Sequence, residues 1–149
     1  MNWSRMDDIL RFAIRKEADA AAFYRMAAGR SNPGTKKMFE ALALEEEGHK
    51  AKLERFDPKQ IDKMERKEHP TLGLAELLED VPFSPDMSYA DLLRMAIKNE
   101  EKAERLYHSM SRSIQDPSVN NLFAVLAQEE AAHKKRLEKM YDEEILTEF

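Results

Sequence analysis

Leu42–His49 reads LALEEEGH and Leu126–His133 reads LAQEEAAH. Each stretch sets a glutamate three residues ahead of a histidine, Glu46 before His49 and Glu130 before His133. On a helix that spacing puts a carboxylate and an imidazole one turn apart on one face. Two more glutamates repeat upstream: Glu17 in AIRKEADAAAFY (13–24) and Glu100 in AIKNEEKAERLY (96–107). Glu17 has Ala13, Ile14, Ala20, Ala21 and Tyr24 as helical neighbours, and Glu100 has Ala96, Ile97, Ala103 and Tyr107. Glu46 and Glu130 follow Leu42 and Leu126 by four and precede Leu53 and Leu137 by seven. All four carboxylates therefore stand on core-facing stripes. Burying one without compensation costs several kcal/mol. No lysine or arginine shares these stripes, so the compensating charge is expected from cations. Two divalent ions balance four carboxylates, and the two imidazoles complete their coordination. Hard oxygen donors mixed with imidazole suit iron or manganese. No catalytic group is expected beyond the ligands themselves.

Other readings of the same residues stay open. Glu45 and Glu129 also repeat and could replace Glu46 and Glu130, whereas Glu47 aligns with Ala131 and falls outside the repeat. Glu17 and Glu100 could instead pair with Lys16, Lys98 or Lys102 on a slightly rotated face, and His49 and His133 could be satisfied bundle histidines. Tyr24 and Tyr107, seven residues after Glu17 and Glu100, could be plain core or could hydrogen-bond the carboxylates. His69 and His108 have no repeat partner and are expected at the surface. The nine methionines suit bundle packing.

Four long helices must carry these groups. The first runs from about Ser4 to Gly29, and GRSNPGT breaks it. The second starts near Thr35, carries Phe39, Leu42, His49, Leu53 and Phe56 on one face, and ends or bends at Pro58. From Asp57 to Ser88 four prolines punctuate a weak pattern, with a short helix around 72–78. That length suits a crossover that lets the second and third helices run parallel. The third helix follows Ser88, an N-cap with Asp91 at N3, and reaches about Arg112. The fourth spans roughly Pro117 to Tyr141, and DEEILTEF adds a short terminal turn. The upstream segments match at an offset of 83 and the Glu-x-x-His segments at 84, so the second inter-helix turn holds one extra residue. A duplicated helical hairpin follows.

At 149 residues the chain is expected to form one domain, residues 1–149, with a real core. Charged residues make up 36%, while valine is scarce and no stretch alternates cleanly, which favours helix over sheet. With no cysteine there is no disulfide, thiolate zinc site or Cys₄ iron site. A net charge of −5 without a basic patch speaks against nucleic acid. No apolar run approaches membrane-spanning length, and the N-terminus lacks the order of a signal peptide. A cytoplasmic location is the expectation.

The inward Glu17 and Glu100, with Glu46-x-x-His49 and Glu130-x-x-His133 each in its own helix, resemble the rubrerythrin family of ferritin-like di-iron proteins. The likeness covers all four helices. It implies an all-α, ferritin-like four-helix bundle, made of two repeated hairpins joined by a long crossover, and a binuclear site of two iron ions, with manganese as the alternative. It implies reaction with hydrogen peroxide or dioxygen in oxidative-stress defence, with electrons from a separate donor protein because no rubredoxin domain is expected in the chain. A homodimer is the expected assembly. Rubrerythrins carry an extra third-helix glutamate one turn past the ligand; Ala103 stands there, and Glu104 is the candidate to reach the site instead. The rival readings are iron storage or ferroxidase delivery, a manganese catalase-like site, and a metal-free helical interaction module.

Overall fold

The computed structural model describes residues 6–56, 86–113 and 116–146. The expected crossover, Pro58 and the short helix around 72–78 lie outside the described residues. Four helices lie among the described residues: α1 (Met6–Gly29), α2 (Pro33–Glu54), α3 (Tyr89–Ser113) and α4 (Pro117–Glu144). No strand occurs among the described residues. They fall into two compact units, one built on α1 and α2 and the other on α3 and α4. Each unit is a helical hairpin, the repeated element of the sequence.

Both hairpins turn by the same chemistry. Asn32 adopts an extended backbone ahead of α2, and its side chain accepts from the Thr35 N–H at 3.0 Å. Asp116 does the same ahead of α4, accepting from the Ser118 and Val119 N–H groups at 3.0 and 3.1 Å. A proline follows each cap, where its missing N–H costs nothing and its fixed φ suits the first helical residue. The cap moves the start of α2 to Pro33, two residues ahead of the expected Thr35. Ser88 caps α3 as its position predicts, its hydroxyl accepting from the Asp91 N–H at 3.1 Å. α4 runs one turn past Tyr141 to Glu144, within the DEEILTEF segment where a short terminal turn is expected. Contacts with the start of α3 account for the added turn. Tyr89 donates to Glu144 at 2.5 Å, and Arg94 donates to the Tyr141 hydroxyl at 2.6 Å.

Each hairpin has its own apolar interior. Ile9, Leu10, Ala13, Tyr24, Phe39, Leu42 and Leu53 are buried in the first, and Leu92, Leu93, Ala96, Tyr107, Phe123, Leu126 and Leu137 at the repeat-equivalent places of the second. Each large side chain buried this way stabilises by about 1.5–3 kcal/mol. An aromatic stack recurs in the same register: Tyr24 on Phe39 at 6.0 Å between centroids, and Tyr107 on Phe123 at 6.1 Å. Five expected core residues, Ile14, Ala20, Phe56, Ile97 and Ala103, are only half-buried, while Phe12, Ala27 and Ala43 are buried.

Candidate metal centre

Six charged or titratable side chains sit inside these apolar interiors. Glu17, Glu46 and His49 in the first hairpin, and Glu100, Glu130 and His133 in the second, are each at most 2% exposed. Helix spacing places them. Glu46 and His49 are one turn apart on α2 and face the hairpin partner α1, from which Glu17 projects. Glu130 and His133 stand likewise on α4, opposite Glu100 of α3. In the first hairpin His49 Nδ1 lies 3.5 Å from Glu17 Oε2 and 3.5 Å from Glu46 Oε1. In the second His133 Nδ1 lies 3.6 Å from Glu100 Oε1 and 4.0 Å from Glu130 Oε1.

Those separations suit a shared cation. They exceed the usual 2.7–3.2 Å of an N–H···O bond. Ligands bound at about 2.0–2.2 Å to one ion stand roughly 3 Å or more from each other. Within each triad one ligand atom per residue lies within 4.8 Å of the others. Glu17 Oε2, Glu46 Oε1, Glu100 Oε2, Glu130 Oε1 and both histidine Nδ1 atoms are buried and make no hydrogen bond, although all six residues have other interactions. Each donor set is two carboxylates and one imidazole buried among apolar side chains, which is chemistry that hard and borderline divalent metals accept. In both histidines the atom turned to the carboxylates is Nδ1.

The neighbouring candidates separate clearly. Glu45 is exposed and Glu129 half-buried, so the buried register is that of Glu46 and Glu130. Glu47 leaves the triad for the surface and pairs with Arg25 of α1. The ammonium of Lys16 sits over the Phe12 ring, 5.3 Å from its centroid. Tyr24 and Tyr107 are buried and stacked as described, with further interactions of their own. Their stacking partners Phe39 and Phe123 were recognisable beforehand only as apolar positions; the recurrence of Tyr at an offset of 83 and of Phe at 84, the offsets of their repeat segments, is the signal that pairs them. Glu104 is not part of either triad: its side chain is 26% exposed and its carboxylate lies 4.0 Å from His108 Nε2. His108 is exposed, as expected, and His69 lies outside the described residues.

The rubrerythrin family model matches residues 8–87 and 91–148 of the chain. The chain belongs to the rubrerythrin family. Among curated proteins no relative was found. Among solved structures, a protein from Thermotoga maritima described as a ferritin-like diiron-carboxylate protein is similar, with a TM-score of 0.68 and 23% identity over 89% of this chain and 91% of that one. At that identity the likeness is one of fold, and it gives this family member an all-α, ferritin-like architecture. Among the described residues no helix is long and apolar enough to cross a membrane.

Proposed function

We propose that this rubrerythrin-family chain is a binuclear non-haem iron protein that reduces hydrogen peroxide, each hairpin's triad supplying ligands for one ion. The observation that carries the reading is the duplicated set of two carboxylates and one imidazole, each group at most 2% exposed. Glu17, Glu46 and His49 would hold one ion and Glu100, Glu130 and His133 the other, the carboxylates offering hard oxygen donors and the imidazoles borderline nitrogen donors. Two ferrous ions, when bound, supply the two electrons that turn one peroxide and two protons into two waters. The chain's own part is to fix the ligands and keep the surroundings dry. The helical backbone sets each Glu-x-x-His pair one turn apart before any ion arrives, so little reorganisation is needed on binding. The apolar stripes around the triads exclude bulk water and strengthen the carboxylate–cation attraction. The sequence given has no cysteine for a Cys₄ electron store, and in this reading an external donor protein supplies the electrons for repeated turnover.

Anaerobic reduction followed by stopped-flow mixing with peroxide tests the reading. The expected result is a single burst of about one peroxide per centre, with sustained turnover only when a donor and its reductase are added. Oxygen evolution from peroxide without any donor would replace this reading with a catalase. Continued ferrous uptake far beyond the two triads would replace it with storage.

A further inference from the structure

The two halves differ at several positions, and one pair follows the inward glutamate at helical spacing. In the first hairpin the positions four and eight residues past Glu17 are Ala21 and Arg25. Ala21 is buried, and Arg25 crosses to pair with Glu47 of α2. In the second hairpin the equivalent positions hold Glu104 and His108, and the equivalent of Glu47 is Ala131. A fixed cation–anion clamp on one hairpin is thus replaced on the other by a carboxylate and an imidazole, the two donor types that make up the buried triads.

Their geometry is that of an approach route. Glu100, Glu104 and His108 follow one another at four-residue steps along α3, about 6 Å of helix rise apart. Exposure climbs along the same line, from 2% for Glu100 to side-chain values of 26% for Glu104 and 49% for His108. Glu104 Oε1 and His108 Nε2 lie 4.0 Å apart, within reach of a common ion after a small side-chain rotation. On the first hairpin the same line ends at the Arg25 guanidinium, which repels a cation.

We propose that Glu104 and His108 form an outer station that takes a divalent cation from solvent and passes it inward to the Glu100–Glu130–His133 triad, so that metal loading begins on the second hairpin. The proposal rests on the metal-centre reading and concerns the rate of filling, not the resident ligand set. With one carboxylate and one imidazole, the station holds an ion weakly enough to release it to a three-residue set one turn deeper.

The test uses cobaltous ion alone, whose visible bands report binding without redox change. Metal-free full-length protein is mixed with it in stopped flow, and the final metal content is measured separately. Glu104→Gln and His108→Arg should each slow loading by about tenfold, the low end of charge-steering effects on rate, while leaving the final metal content unchanged. Glu101→Gln, an exposed charge elsewhere on α3, should leave the rate near that of the parent. Unchanged rates in both station variants would overturn the proposal and leave the centre standing. Loss of bound metal at equilibrium in Glu104→Gln would also overturn it, making Glu104 a resident ligand. Failure of the parent protein to bind cobalt at all would remove the metal-centre reading and the station with it.

Discussion

A glutamate is assigned to the site by one residue of helical register, and the assignment carries a measurable consequence. Three consecutive glutamates, Glu45, Glu46 and Glu47, differ by 100° steps around α2. The structure exposes the first, buries the second beside His49 at 3.5 Å and pairs the third with Arg25. Glu46→Ala and His133→Ala should each weaken metal binding by more than the roughly 10–100-fold that loss of a supporting outer residue costs. Glu47→Ala should leave metal content unchanged. Elemental analysis of purified variants decides this, and equal metal loss in all three would put the register wrong. The duplication excluded Glu47 in advance, since Ala131 stands against it, but it left Glu45 and Glu129 open beside Glu46 and Glu130. Glu104 was harder to place. Its spacing from Glu100 fits the face of the triad, and only the half-exposed position beside His108 sets it outside.

Helix ends follow short-range capping chemistry, and there the sequence was less transparent. The segment GRSNPGT announces a break, but which residue caps the next helix depends on whether Asn32 or Thr35 supplies the acceptor. Asn32 does, and Thr35 becomes a buried residue of the first turn. The end of α4 was hidden for a different reason. DEEILTEF carries no stop signal of its own, and the added turn is held by contacts with α3 some fifty residues earlier in the chain. Asn32→Ala should destabilise the protein by about 1 kcal/mol through loss of its cap, read by denaturant unfolding. Asp116, the corresponding cap of α4, adds a pH dependence. Hydrogen bonds from the Ser118 hydroxyl and then the Val119 N–H hold its carboxyl below the ordinary value. A depressed carboxylate contributes stability that is present above the ordinary carboxylate range and is lost as pH falls through the folded-state value. Asp116→Asn keeps an amide oxygen as acceptor but removes the charge at the helix N-terminus. Its melting temperature should therefore lie below the parent's near neutrality, and the gap should close on acidification to below the ordinary carboxylate range. A gap that is constant with pH would show that the charge contributes nothing.

Each hairpin holds two inward carboxylates in an apolar interior, and that arrangement couples stability to metal. Without a cation the carboxylates of each triad repel one another and lack the water that would solvate them. A bound ion removes both costs in the folded state and is not held in the unfolded chain, so it stabilises by mass action. At a free ion concentration a hundredfold above the dissociation constant one site adds about 2.7 kcal/mol. For a chain of this length that raises the melting temperature by about 5–10 °C. Loading should raise both the melting temperature and the enthalpy of the transition. Differential scanning calorimetry under anaerobic conditions, with ferrous ion and then with a chelator, measures both effects. Glu46→Ala should lose most of the ferrous-dependent shift while its chelated form melts no lower than the chelated parent, since the substitution removes one of the repelling charges. Identical melting of loaded and chelated parent protein, with metal shown to be bound, would mean that the ions sit elsewhere. The buried carboxylates would then need another counter-charge.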